Sequence, residues 1–227
     1  MVQSVRRTRS HRMNFCVQRG LGALPSTSKA EGKITAGFFP LRAECINTGI
    51  ACHFLGNIHV RKGRIYGLLG RNGAGKTTTM RMLLGLTAPT SGNVKIFGKP
   101  FQENEKKILP RIGCLIESPG FYPNLTGTEN LKIFAELRGL RNPNYVKGAL
   151  ELVNLPYRDK KLFSQYSLGM KQRLAIALAV MHDPELLILD EPINGLDPIG
   201  IAEVRSFIRE LCDFRDCCRT SLFYGTR

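Results

Sequence analysis

An α/β domain built on a parallel sheet is predicted from three observations. Short apolar strands alternate with helical segments over residues 57–211, a glycine-rich turn joins one strand to a helix, and another apolar strand ends on two adjacent carboxylates. The segment at 63–69 (GRIYGLL) reads as a buried strand, and the glycine-rich turn at 70–75 follows it. A helix is predicted over 76–86, after which 93–97 returns as a strand. Thr126 and Glu129 have the spacing of a capping box, in which each side chain meets a backbone N–H of the other. Leu131, Phe134, Ala135 and Leu137 follow with helix-like apolar spacing, so a helix is predicted over about 127–138. A further helix is read over 171–181. The strand ELLIL at 185–189 ends on Asp190 and Glu191, and so apolar a run suits the centre of a parallel sheet.

Both ends differ in texture from this middle. Residues 1–56 hold eight Lys or Arg against two acids and show little periodicity, and 212–227 crowds three cysteines and three arginines together. Six of the seven cysteines lie in these two segments. No Cys-x-x-Cys occurs, so the cysteines read as reduced thiols rather than a metal site or a disulfide framework. The expected organisation is an atypical basic N-terminal segment (1–56), one α/β domain (57–211) and an atypical C-terminal tail (212–227). The Arg-rich, acid-poor stretch at 1–30 also has the composition of an organellar transit peptide.

With 227 residues, 43% hydrophobic and 22% charged, the chain is long and apolar enough to bury a full core. Its net charge of +15 points to an acidic partner, either a nucleotide, a nucleic acid or an anionic membrane face. No basic stripe interleaved with aromatics appears, so no nucleic-acid surface is expected. No apolar run approaches the roughly 20 residues that span a bilayer.

The chemistry sits in the turn and at the end of the apolar strand. Gly70-Arg-Asn72-Gly73-Ala74-Gly75-Lys76-Thr77 matches the P-loop pattern between a strand and a helix, and Thr78 follows in the first helical turn. Glycines let backbone N–H groups close around phosphates, and the helix start adds its partial positive charge. Lys76 reaches the β- and γ-phosphates, and the Thr77 hydroxyl ligates Mg²⁺. Asp190, at a strand end beside that loop, can hold the same Mg²⁺, and Glu191 can orient and deprotonate a water. ATP and Mg²⁺ are therefore the expected cofactors.

Between these motifs lies Tyr166-Ser167-Leu168-Gly169-Met170-Lys171-Gln172-Arg173-Leu174. Here the sequence resembles the ABC transporter ATP-binding subunits, its Ser-Leu-Gly-Met form being similar to that of bacterial drug- and peptide-exporting members and its Glu117 to that of the bacitracin-resistance and lantibiotic-immunity type. The resemblance covers about 57–211 and includes Asn194-Gly195-Leu196-Asp197, similar to the D-loop. It also includes Glu117, which stands where most members have the Gln of the Q-loop. It implies a P-loop NTPase fold with a RecA-like core sheet and a helical signature subdomain at about 120–175. It also implies that Ser167 and Gly169 contact the γ-phosphate of a second copy, and that Glu117 joins Thr77 and Asp190 on the metal side. The partners implied are a homodimer of nucleotide-binding domains and an integral-membrane permease, with the chain cytoplasmic and peripheral on the inner face of the cell membrane.

Two family features are missing. No Phe, Tyr or Trp occurs at 41–53 to stack on adenine, with Phe54 the nearest aromatic, and no His follows His182 to serve as the switch histidine. The main expectation is an ATPase subunit energising efflux of a peptide antibiotic. The alternatives are a truncated or frame-shifted relative that binds ATP with little hydrolysis, and a soluble ATPase acting on nucleic acid. Co-purification with a permease favours the first of these readings, and salt-dependent RNA or DNA binding favours the last.

Overall fold

The structure, a computed structural model, describes residues 60, 65–70, 72–89, 92–208 and 210 in full, and the backbone of the secondary-structure elements outside them. Five strands come first: β1 (Asn14–Gln18), β2 (Leu41–Arg42), β3 (Cys45–Asn47), β4 (Ile50–Cys52) and β5 (Asn57–Ile58). The central part follows with β6 (Ile65–Leu69), α1 (Lys76–Leu83), β7 (Lys95–Ile96), β8 (Lys99–Pro100), α2 (Phe101–Ile108) and β9 (Ile112–Leu115). Then come α3 (Gly127–Leu137), α4 (Asn144–Leu152), α5 (Leu168–Val180), β10 (Leu186–Asp190), α6 (Pro198–Asp213) and β11 (Ser221–Thr226).

The main sheet has the order β1-β6-β11-β10-β9. Strands β6, β11, β10 and β9 run parallel, and β1 closes one edge antiparallel to β6. Leu187, Ile188 and Leu189 of β10 are all buried, as the apolar run requires of a strand covered on both faces. Their side chains alternate. Leu187 and Leu189 join the core that includes Leu115, Leu131 and α5, whereas Ile188 joins Tyr66, Leu68, Met80 and Leu83 around α1. Residues 174–181 of α5 are buried without a break, so this helix is packed on all sides rather than on one stripe. It carries the helices α3 and α4 through Leu131, Ala135, Val146 and Leu150, which share its core.

The capping box forms as read: Thr126 Oγ1 accepts from the Glu129 N–H and Glu129 Oε2 accepts from the Thr126 N–H. Helix α5 begins three residues before the expected 171, because Ser167 serves as its N-cap and accepts from the Met170 N–H at 3.3 Å. Helix α1 stops at Leu83 rather than 86, ahead of Gly85 in the left-handed region (φ 72°). The strand expected at 93–97 shrinks to β7, since the chain turns back through Phe97 and Gly98, both at positive φ, into β8.

The sheet does not stop at 57 and 211. Each of the two segments that composition sets apart supplies a strand, β1 from 1–56 and β11 from 212–227, and β11 lies in the interior of the sheet between β6 and β10. Residues 221–226 of the segment expected as an atypical C-terminal tail thus form a strand of the main sheet. The SLFYGT strand follows directly on the cysteines and arginines that set this segment apart in composition.

Candidate active site

Strands β6 and β10 flank β11 and end level with each other at its C-terminal end, with Leu69 opposite Thr226 and Asp190 opposite Gly225. The loop after β6 and the carboxylates after β10 thus emerge at the same, C-terminal edge of the parallel strands, where open α/β sheets bind ligands. Gly73 (φ 78°) and Gly75 (φ 90°) take left-handed conformations that a residue with a Cβ rarely adopts. A Cβ on Gly73 would meet nothing within 4 Å, so backbone conformation rather than space calls for glycine there.

Helix α1 starts on Gly75 with no side-chain cap. The N–H groups of such a first turn point out of the helix start and, with the helix dipole, suit an anion. Lys76 is buried, and its Nζ donates to Gly70 O at 2.7 Å, folding back over the loop that it would serve. Thr79, which the motif does not single out, fixes the turn by donating from N and Oγ1 to Gly75 O at 2.8 and 2.9 Å.

Thr77 Oγ1 donates to Asp190 Oδ2, joining α1 to the end of β10. The other carboxylate oxygen, Asp190 Oδ1, is buried and has no hydrogen-bond partner. Burial pushes the Asp190 carboxyl above its ordinary range. The Thr77 bond pulls it down, the Glu191 charge pushes it up, and Lys76 and Arg81 pull it down again. A desolvated carboxylate with one oxygen unmatched is a poor resting arrangement in itself and a good one for a cation. Among the described residues no three His, Cys, Asp or Glu side chains gather to hold a metal alone. Mg²⁺ takes one or two protein oxygens and completes its shell with phosphates and water, which the Thr77 hydroxyl and the Asp190 carboxylate would suit. The residues present therefore fit both a nucleotide triphosphate and its Mg²⁺.

Glu191 sits at φ 44°, a strained position for a non-glycine residue, and Asn194 Nδ2 donates to its Oε2 at 3.0 Å. Asn194 was read only as part of the D-loop. Its grip on Glu191 is a local role that spacing did not reveal. Asp197, in the same loop, caps α6 by accepting from the Gly200 N–H at 3.0 Å.

The other site residues lie apart from this cluster. Glu117, two residues past β9, is ion-paired with Arg81 of α1 rather than bonded to Thr77 or Asp190. Ser167 and Gly169 stand at the start of α5, with Ser167 exposed. Leu168 Cδ2 lies 3.3 Å from where a Cβ on Gly195 would stand, so the turn touches the D-loop of its own chain. Tyr166 is buried beneath this turn and meets the Gly127 backbone at the start of α3. A Cβ on Gly127 would come within 2.6 Å of its hydroxyl. Asn130, fully buried, accepts from the Tyr122 N–H and donates to Tyr122 O and Thr126 O, fixing the loop that leads to the capping box. The adenine-side candidate Phe54 lies outside the described residues.

Comparison with known proteins agrees with this geometry. The family model described as ABC transporter matches residues 56–194. The bacitracin transport ATP-binding protein BcrA of Enterococcus faecalis is 62% identical over 155 residues, covering 68% of this chain and 50% of that protein. The lantibiotic transport ATP-binding protein SrtF of Streptococcus pyogenes is 44% identical over 152 residues, covering 67% of this chain and 65% of that protein. A solved ATP-binding subunit of an ABC transporter superposes with a TM-score of 0.68 at 26% identity, covering 85% of this chain and 80% of its own. The chain spans about half the length of the bacitracin-transport relative. With its P-loop, its Asp190–Glu191 strand end and its Ser167 turn all inside or beside the matched region, this chain belongs to the ABC transporter family as an ATP-binding domain.

Proposed function

We propose that this chain binds and hydrolyses Mg-ATP as the ATPase subunit of an exporter, energising efflux of a peptide antibiotic or similar compound through a separate permease. The observation that carries the reading is the joint of α1 to β10. Thr77 holds one oxygen of Asp190 while the other stays buried and unmatched, beside a helix start that has no cap. The transport assignment draws support from the relatives named for bacitracin and lantibiotic transport.

ATP would supply the phosphoanhydride, and Mg²⁺ held by Thr77, Asp190 and Glu117 would supply positive charge beside it. The amides at 72–75 and the first-turn amides of Lys76, Thr77 and Thr78 receive phosphate oxygens. Lys76 exchanges Gly70 O for the phosphates, a trade of a neutral acceptor for a charged one. Thr77 and Asp190 hold the cation, with Glu117 as the third oxygen donor. Glu191 takes the proton of the attacking water, its carboxylate steadied by Asn194. Ser167 and Gly169 face the γ-phosphate bound by a second copy, which makes the working unit a homodimer. Among the described residues no helix is long and apolar enough to cross a membrane, consistent with a cytoplasmic subunit held at the inner membrane face by its permease.

The test is phosphate release at saturating Mg-ATP. Turnover is expected below the usual enzyme median of about 10 s⁻¹, because no His follows His182 to help align water and phosphate. Glu191→Gln should abolish it. Release unchanged in that variant would overturn the assignment of Glu191, and failure to co-purify with any co-expressed permease would count against the transport role.

A further inference from the structure

Arg81 lies four residues after Thr77 on α1 and therefore on the same helix face, the face that meets Asp190. Glu117 lies two residues beyond Leu115, which is paired with Leu189, so it leaves the sheet at the level of Glu191. The strand ends thus bring Glu117 alongside the carboxylates of β10, and the guanidinium that Glu117 meets there is that of Arg81. Both side chains of the pair are largely exposed, at 44% and 71%, so each can be exchanged without unpacking the core. The Arg81 charge also reaches the Asp190 carboxyl.

Resting on the reading of Thr77, Asp190 and Glu117 as the cation side of the site, we propose that Arg81 is a positioning residue that holds Glu117 in the nucleotide-free protein and must release it when Mg²⁺ arrives with nucleotide. The two cations compete for one carboxylate. Arg81 offers Glu117 a directional hydrogen bond and a single charge in water. Mg²⁺ offers two charges at shorter range, and it also satisfies the oxygen of Asp190 that Arg81 leaves unmatched. The exchange therefore runs towards the metal, but Mg²⁺ binding is weakened by whatever the ion pair contributes. Exposed pairs are worth little, so the handicap is about two- to fivefold in Mg²⁺ affinity.

The experiment measures binding, not turnover. A fluorescent, non-hydrolysable ATP analogue is titrated with Mg²⁺ at fixed protein concentration, for wild type, Arg81→Gln, Arg81→Lys, Glu117→Gln and the double variant. Arg81→Gln should lower the Mg²⁺ midpoint about two- to fivefold, with Arg81→Lys between it and wild type. In the Glu117→Gln background the Arg81→Gln shift should fall to less than half, because Arg81 acts through Glu117. An Arg81→Gln midpoint equal to that of wild type, or a shift kept in full without Glu117, overturns the proposal. Wild type that shows no Mg²⁺-dependent binding of the analogue overturns the underlying site reading instead, so the two failures are distinct.

Discussion

Replacing Asp190 with Asn should make the nucleotide-free protein more stable while removing its response to Mg-ATP. In the wild type Oδ1 is buried without a partner, and burial has already pushed the carboxyl above its ordinary range. The amide keeps an acceptor for Thr77 and removes the desolvated charge. The amide nitrogen takes the unmatched position of Oδ1, so the gain comes from removing a partly desolvated charge rather than from satisfying a polar group, and about 1–2 kcal/mol is the reasonable figure. For a chain of this size that is a rise in Tm of about 2–8 °C. The fold favours the protonated acid, so its stabilising contribution is complete below the usual carboxylate value and is lost as pH rises through the raised one. The advantage of the variant should therefore widen from acid to neutral pH. Added Mg-ATP at a hundred times its Kd would stabilise the wild type by about 2.7 kcal/mol, enough to reverse the order. Differential scanning fluorimetry in EDTA and in Mg-ATP, across pH 5 to 8, reads all of this. A variant that melts below the wild type in EDTA would refute the reasoning that Asp190 is held at a cost for the cation.

Lys76→Ala should weaken ATP binding about 10- to 150-fold, the worth of a charge-assisted hydrogen bond, in a calorimetric titration; unchanged affinity would exclude the P-loop role. Ser167→Arg should leave ATP binding by the monomer intact but prevent ATP-dependent dimerisation in size-exclusion chromatography with light scattering, since the turn acts on the nucleotide of the other copy. The His182 imidazole is pushed down from 6.5 to about 4 by burial and by the Arg138 charge, while its Nε2–H donates to Ile112 O at 3.1 Å. The fold holds the neutral ring, so stability should be lost as pH falls from 6.5 towards 4, and the urea midpoint of His182→Asn should fall less over that range.

Motif and strand were legible where a local rule fixes the backbone. The capping box at Thr126, the glycine-rich turn between β6 and α1 and the apolar run into Asp190 all appear as read, because each depends on neighbours in sequence. Contacts set by irregular loops or across the sheet were not legible. No spacing rule could announce that Arg81 would take Glu117, that Asn194 would steady Glu191, or that Asn130 would pin Tyr122, since each pair meets through the sheet or a loop. Helices α2 and α4 also escaped notice. The polar run QENEKK leaves α2 only Phe101 and Ile108 as buried anchors, too few for a clear period. The strand at 221–226 was not legible either, because composition averaged over 212–227 carries no signal for six residues within it.

The place of β11 has a consequence for how the chain is made. Emerging from the ribosome in order, β6, β9 and β10 are complete while the slot between β6 and β10 is still empty, and 36 positions separate Asp190 from Thr226. At about 5–20 residues per second this interval lasts about 2–7 s, during which two apolar parallel strands each present an unpaired edge to water and to other nascent chains. Open edges of that kind invite pairing with the wrong strand. Yield of soluble protein should therefore depend on the speed of translation between these two strands, and slowing it there should favour aggregates over folded chains.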